Sequence, residues 1–401
     1  MSVRRVRLRD IGGTYGGLAG KSKADFERGT ASFVTFLEVI NNTRLRGLSL
    51  APVNVASDER QNTVLRGDVL FNGSSETPEE VALSAVVDFD PGPATYLNSF
   101  CFGYRLTDDD VADPTYLAYL FRSSTGRKGV SSLAQGATRY NIAKTKLLDV
   151  VVSLPSLDRQ REVAGMLTDT DDSISALERL IAKKQAIKQG ALVRLLTGET
   201  RLPSFTAPWV KLPFEALAAP AGERAYGRAM PSGTPLVELE HVGSGSGRLL
   251  ETKDARDAIS LKTVFRPGDV LFGKLRAYLR KYWLADRSGL CSTEIWALRP
   301  KPATIGAYVR YLVETERFVE VASGGYGTHM PRSDWRTLRD LMFDVPPVDE
   351  QRAIASVLRD ADSEIEMLGR RVEKAKAVRQ GMMDELFAAG TRQPALLEVA
   401  G

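Results

Sequence analysis

Two stretches of this chain carry the same alternation of apolar and polar positions. Val163, Leu167, Thr170, Ile174, Leu177 and Ile181 step by four and three, and Ile354, Leu358, Ala361, Ile365, Leu368 and Val372 repeat the pattern. That spacing lines one narrow stripe of a helix, the seam of a coiled coil. Each stretch opens with a proline and an aspartate within reach of an N-cap, then runs about 39 residues without another proline, which predicts one long helix in each. The seam blurs after Ile181 and Val372, where Lys, Arg and Gln become frequent. Gly190 and Gly381 interrupt good helical sequence at a cost of roughly 1 kcal/mol each, so a close helix contact or a slight bend is expected at both.

The two stretches are copies. The segment from Leu154 aligns without gaps to the one from Val345, an offset of 191 residues. The identical pairs include Pro155/Pro346, Asp158/Asp349, Gln160/Gln351, Arg161/Arg352, Leu167/Leu358 and Gly190/Gly381. The preceding segments share landmarks too. Gly67-Asp68-Val69-Leu70-Phe71 recurs as Gly268-Asp269-Val270-Leu271-Phe272, Tyr116 to Leu120 recurs at Tyr308 to Leu312, and Cys101 and Cys291 stand in comparable apolar runs.

Short β-branched or aromatic runs predict strands at 64–71, 81–89, 99–106, 264–272 and 295–298, with helices near 115–122 and 307–320. A proline-rich linker, Leu202 to Pro213, follows the first long helix. The expected fold is α+β: two tandem α/β domains, separated and followed by long helices that pair as an antiparallel coiled coil in a pseudo-twofold internal repeat. The expected boundaries are 1–153, 154–203, 204–344, 345–393 and a tail at 394–401.

Composition adds limits. At 401 residues, with 43% hydrophobic and 26% charged residues, the chain has material for two cores. No apolar run reaches membrane-spanning length, the N-terminal stretch lacks the apolar segment of a secretory signal, and two cysteines suit a reducing cytoplasm. A net charge of +4 is too mild to establish nucleic-acid binding by itself, but its distribution is uneven. Pro114 to Leu148 holds Arg122, Arg127, Lys128, Arg139, Lys144 and Lys146 with no acid; Lys262 to Arg287 holds seven basic residues against Asp269 and Asp286. Such stretches are candidate phosphate-contacting surfaces.

Within them, particular side chains suit base or phosphate contact. Lys274, Arg276, Arg280 and Lys281 follow a strand-like run with Tyr278 interleaved; arginine can pair bidentately with guanine while lysine mainly neutralises phosphate. Ser292, Thr293 and Glu294 could hydrogen-bond base edges, glutamate accepting from cytosine N4. In the first domain the candidates are Asn72, Ser74 and Ser75 after the matching strand, with Arg127, Lys128, Thr138, Arg139, Tyr140 and Asn141 from the acid-free segment. Thr328 and His329 end a glycine-rich run able to approach a groove. Ordinary solvated surface explains each group as an alternative. With two histidines, His241 and His329, a histidine-based triad or multi-histidine metal site has little support, and no phosphate-binding loop or H-E-x-x-H pair is present. No catalytic or metal-binding residues are therefore assigned.

The helical repeats, beginning P-x-x-D-x-Q-R and with Leu195-Leu196-Thr197-Gly198 closing the first, resemble the constant regions of type I restriction-modification specificity subunits. The resemblance extends over nearly the full length, through Gly268 to Arg276, Tyr278 to Lys281, Cys291 to Glu294 and Gly136 to Ile142. Arg159 departs from the pattern, where the family has the glutamate that Glu350 supplies in the second copy, and the second copy ends Phe387-Ala388-Ala389-Gly390. The resemblance implies a non-catalytic chain that binds double-stranded DNA together with two modification subunits and restriction subunits. S-adenosylmethionine would belong to the methyltransferase partners, and ATP and Mg to the restriction partner. A scattered-site enzyme, a structural adaptor and a specificity subunit of another methylation-linked defence system are the alternatives.

Overall fold

The computed structural model describes residues 3–47, 49–108, 110–324, 331–388 and 397–399. The chain forms two compact units, Met1–Glu178 with Arg370–Gly401, and Arg179–Gly369. The division passes through both long helices, Leu157–Thr197 and Val348–Ala388, each of 41 residues. Each unit therefore owns one globule, the first half of one long helix and the last half of the other.

In the first unit, β1 (Gly12–Gly16), β2 (Arg44–Leu45), β3 (Val69–Asn72), β4 (Ser84–Val87) and β5 (Cys101–Leu106) form one sheet in the order β1-β5-β3-β4-β2. All four residues of β3 are buried, as expected of an apolar strand covered on both faces. Helix α1 (Pro114–Arg122) covers the sheet, with Phe121 edge-on to Phe71 at 5.3 Å. Asp113 caps α1 by accepting from the Tyr116 N–H at 2.8 Å, and Pro114 occupies the first turn, where its missing N–H costs nothing.

The second unit repeats the scheme: β6 (Ala218–Pro220), β7 (Val270–Gly273), β8 (Tyr282–Leu284) and β9 (Ile295–Pro300) lie in the order β6-β9-β7-β8, and α2 (Gly306–Leu312) takes the place of α1. A second five-stranded sheet stands beside it, built around Lys262–Phe265, Gly289–Cys291 and Pro235–Val237.

The repeated Gly-Asp-Val-Leu-Phe motif now has a physical explanation. Gly67 and Gly268 adopt φ of 87° and 90°, a left-handed turn that glycine enters without Cβ strain. The buried aspartate that follows closes the turn and binds an arginine of the neighbouring strand. Asp68 accepts from the Leu65 N–H at 2.8 Å and from Arg105 Nε at 2.7 Å; Asp269 accepts from the Arg266 N–H at 2.9 Å and from Arg299 Nε at 3.0 Å. Tyr15 adds a third donor to Asp68 at 2.5 Å; burial, reinforced by that carboxylate, raises its phenol pKa well above the usual range.

Within each unit the long helices run antiparallel. In the first, Glu178 meets Lys376 at 2.9 Å and Asp171 meets Arg379 at 2.7 Å, while Val163, Leu167, Met383 and Phe387 enter the globule's core. In the second, Lys184 meets Glu364 at 2.9 Å and Lys188 meets Asp362 at 2.6 Å, while Leu192, Leu195, Leu196, Ile354 and Leu358 enter the core. Each such apolar side chain contributes about 1.5–3 kcal/mol by leaving water. The same docking is used twice: Tyr119 donates to Asp171 at 2.7 Å, and Tyr311 to Asp362 at 3.0 Å.

Several expectations need correction. The helix expected at 307–320 is two, α2 and α3 (Glu316–Ser323), because Thr315 caps a new start by accepting from the Phe318 N–H. The strand expected at 264–272 is likewise two, divided by the turn at Gly268. Cys101 and Cys291 are both buried, but not equivalent: Cys101 opens β5 opposite Asn72, whereas its counterpart in β9 is Ile295, opposite Gly273, and Cys291 lies in the second sheet. A Cβ on Gly190 would find only the end of Arg194 at 3.9 Å, and one on Gly381 would find nothing within 4 Å, so neither glycine serves a close helix contact. The odd residue Arg159 pairs on the surface with Glu162 at 2.7 Å, whereas Glu350 is buried and binds Arg201 at 2.6 Å and the Trp209 indole at 3.1 Å.

Candidate DNA-recognition surfaces

In the first unit the chain brings together two groups distant in sequence. Ser74–Ser75 pairs antiparallel with Tyr140–Asn141, Tyr140 opposite Ser75 and Asn141 opposite Ser74. Thr138, Arg139 and Asn141 are exposed on this ribbon, and the Arg139 guanidinium lies 5.5 Å from the centre of the Phe100 ring. Lys128, Lys144 and Lys146 are exposed nearby in sequence, with no ion pair among the described residues.

Asn72 is engaged differently. It is buried, its amide donates to the carbonyls of Ser74 at 3.1 Å and Glu80 at 2.8 Å, and its Oδ1 accepts from the Leu83 N–H at 2.6 Å. These bonds use its groups on the loop it supports. Arg127 is similar, donating to the carbonyls of Glu79, Val81 and Ala82, and burial pushes its pKa down to about 10. Arg122 holds Ser84, Val39, Ile40 and Asn42 in the same way. Two of the six basic residues in the acid-free segment thus serve backbone carbonyls, leaving Lys128, Arg139, Lys144 and Lys146 as the outward charges. Ser75 is half-buried and donates to Glu80 at 2.9 Å; the Ser74 hydroxyl is buried and has no partner among the described residues.

The corresponding edge of the second unit is the loop after β7. A single 3-10 turn, Ala277–Leu279, stands between Arg276 and Arg280, at φ of 53° and 50°. Left-handed backbone costs a non-glycine residue roughly 1–2 kcal/mol, and two such residues bracket this one short turn. Arg276 is exposed and Tyr278 is 53% exposed. Arg280 pairs with Glu316, and Lys281 donates to the Leu239 carbonyl at 2.8 Å. The Lys274 N–H donates to the Glu294 carbonyl at 2.9 Å, which joins this loop to Ser292, Thr293 and Glu294. Glu294 receives both arms of Arg332 at 3.1 and 3.0 Å. Thr328 and His329 lie outside the described residues.

Phe100 and Arg332 belong to these edges and were not singled out in the sequence. The signal for Phe100 is the polar residue two positions before the turn's head, since Asn98 accepts from the Phe100 N–H at 2.9 Å as Ser292 accepts from the Glu294 N–H at 3.3 Å; Arg332 reaches Glu294 across 38 positions and has no local signal.

Other chemistry has less support. Glu238, Glu240 and His241 bring possible ligand atoms within 4.8 Å of one another. However, the Glu238 N–H donates to His241 Nδ1 at 3.1 Å, which in a neutral imidazole puts the proton on Nε2, so neither nitrogen has a free lone pair for a metal. Lys253 also lies 3.2 Å from Glu238. A cleft of about 390 Å³ in the first unit is lined by Arg66, Asp68, Arg105, Asp113 and Arg161, and there Arg105 is already held by Asp68.

No family model matches the chain. It is similar to the EcoDI type I restriction enzyme specificity subunit of Escherichia coli, 22% identical over 311 residues covering 69% of each chain. It is also similar to the putative MjaX type I specificity subunit of Methanocaldococcus jannaschii, 22% identical over 90% of this chain and 87% of that one. Among solved structures, the type I S subunit of M. genitalium matches with a TM-score of 0.59 at 11% identity, covering 96% of both chains. A chain from a study of type I assembly and conformational transition matches with a TM-score of 0.56 at 16% identity, covering 96% of this chain and 97% of that one. In sequence and in fold, this chain is a relative of the specificity subunits of type I restriction-modification systems.

Proposed function

We propose that the chain is the DNA-reading subunit of a type I restriction-modification assembly, without catalytic chemistry of its own. Each unit reads one half of a bipartite, asymmetric site in double-stranded DNA. The observation that carries this reading is the duplicated edge. In both units the loops after β3 and β7 and the turns before β5 and β9 converge with a third segment, and at each edge the outward residues are cationic, aromatic or polar. Cations neutralise phosphates and set register, while the polar and aromatic groups meet base edges.

The 41-residue helices, about 62 Å long at 1.5 Å per residue, set the unread spacer and dock two modification subunits, to which restriction subunits add. The methyltransferase partners carry S-adenosylmethionine; ATP and Mg serve the restriction partner.

Mapping methylated adenines in the source genome, with this gene intact and deleted, tests the reading. Loss of methylation at one interrupted motif on deletion is expected. An unchanged map from a system shown to be expressed would overturn the proposal in favour of an adaptor role.

A further inference from the structure

We propose that the turn before β5 and its counterpart before β9 hold corresponding base-reading positions, Phe100 for a thymine in one half-site and Glu294 with Arg332 for a cytosine–guanine pair in the other. The inference rests on the DNA-reading function proposed above and adds which base each unit reads at one position.

The two turns share one backbone scaffold. The Gly73 N–H donates to the Phe100 carbonyl at 2.7 Å and the Ile142 N–H to the Gly73 carbonyl at 3.1 Å. In the second unit the Lys274 N–H donates to the Glu294 carbonyl at 2.9 Å and the Ser333 N–H to the Lys274 carbonyl at 2.8 Å. The residue after the turn is bound alike, Cys101 N–H to the Asn98 carbonyl at 2.9 Å and Ile295 N–H to the Ser292 carbonyl at 3.0 Å. What differs is the side chain at the head of the turn: a ring that is 56% exposed in one copy, a carboxylate in the other. An arginine from the third segment attends each of them, Arg139 over the ring and Arg332 on the carboxylate. A scaffold copied with its hydrogen bonds while the presented group changes from apolar to anionic is the arrangement that gives two half-sites different sequences.

The chemistry of each group selects a base. An exposed phenyl ring fits the thymine 5-methyl, the apolar feature of the major groove. A carboxylate has about four lone-pair positions; the two bonds to Arg332 leave others free to accept from cytosine N4. Arg332 has further N–H groups to donate to guanine O6 or N7 across the pair. The side chain of Arg332 is 59% exposed and that of Glu294 26%, so the pair reaches solvent through Arg332, with the carboxylate half-buried behind it.

The test uses the complete methyltransferase complex assembled with this chain, on its mapped motif. Replacing each thymine of the motif by uracil, one at a time, removes only the methyl group. One position should lower the methylation rate for the wild-type chain and have no effect for Phe100→Ala, while Phe100→Leu keeps the preference. Genome methylation maps should show Phe100→Ala relaxing one T·A position in one half-site, and Glu294→Gln relaxing one C·G position in the other. The loss of discrimination at each should be roughly 5- to 150-fold, the range of one good base contact. If the uracil scan finds no Phe100-dependent position and both variants keep the wild-type motif, the assignment is overturned although the chain still reads DNA. A wild-type complex that methylates no interrupted motif would overturn the DNA-reading function itself, and the assignment with it.

Discussion

Replacing Gln160 by leucine tests how the helical motif is built. Its side chain is buried, with Nε2 donating to the carbonyls of Pro155 at 2.9 Å and Val111 at 3.0 Å and Oε1 accepting from the Asp113 N–H at 3.0 Å. Leucine keeps most of the volume and orphans three backbone groups. At about 1 kcal/mol net for each bond, the first unit should lose about 3 kcal/mol. For a unit of about two hundred residues this lowers the melting temperature by roughly 6–12 °C. Gln160→Glu keeps the shape, but its carboxylate cannot donate to two carbonyls and places a charge in a buried site. Burial raises such a carboxyl's pKa, so the charge cost is absent below the pKa of the unfolded chain and grows as pH rises through the folded value. The glutamate variant should therefore stand nearer the wild type at pH 4 than at pH 7. Its neighbour Arg161 is exposed, and Arg161→Ala should change stability by less than about 0.5 kcal/mol. Calorimetry measures the melting, and hydrogen exchange locates the loss in 111–116 and the first turns of the long helix. A Gln160→Leu protein that melts within 1 °C of the wild type, the natural comparison, would refute the reasoning, whatever the exchange pattern.

Gly190→Ala and Gly381→Ala should each stabilise the protein by about 0.5–1 kcal/mol, because both Cβ atoms enter open space on a helix; denaturant midpoints that fall would show a hidden contact. Arg276→Gly removes the guanidinium while easing the left-handed backbone, and the greater freedom of glycine when unfolded offsets that gain. Melting should move little while DNA affinity falls, and a phosphate role would also lower the salt slope by about 1 in log–log terms. Burial pushes the thiols of Cys101 and Cys291 up from 9.0 to about 12. Both should resist a thiol reagent at pH 8 until the protein is denatured. A thiol raised in the fold adds stability that is full below pH 9 and lost as pH rises toward 12; replacing both cysteines should flatten the decline just above pH 9.

What the sequence revealed, and what it concealed, follows from the range of the interactions involved. The helical repeats were legible because identical side chains carry identical duties in both units. Gln351 receives Thr304 and donates to Ala303 and Pro346 much as Gln160 serves its own unit, and Tyr311–Asp362 repeats Tyr119–Asp171. Charge counting misread Arg122 and Arg127, since a linear sequence does not say whether a guanidinium meets water or a cage of carbonyls. The residues of the candidate edges stand in the sequence only as separate fragments: Ser75 and Tyr140 are paired across 65 positions, and no local periodicity encodes that pairing. The cysteines misled for a related reason. The offset between repeats is 201 residues at β3 and β7 but 194 at β5 and β9, because the intervening loops differ in length, so matching by position fails where matching by hydrogen bond succeeds. Those unequal loops join the strands that end at the proposed reading edges. On the function proposed above, a duplicated chain that keeps its helices and sheet in register while its loops drift in length and chemistry would separate the part held constant for assembly from the part free to acquire a new target. That separation predicts where exchange should succeed: a graft of 73–149 onto a related scaffold, joined at the buried end of β3 and the buried start of the strand Val150–Leu154, should carry its half-site with it.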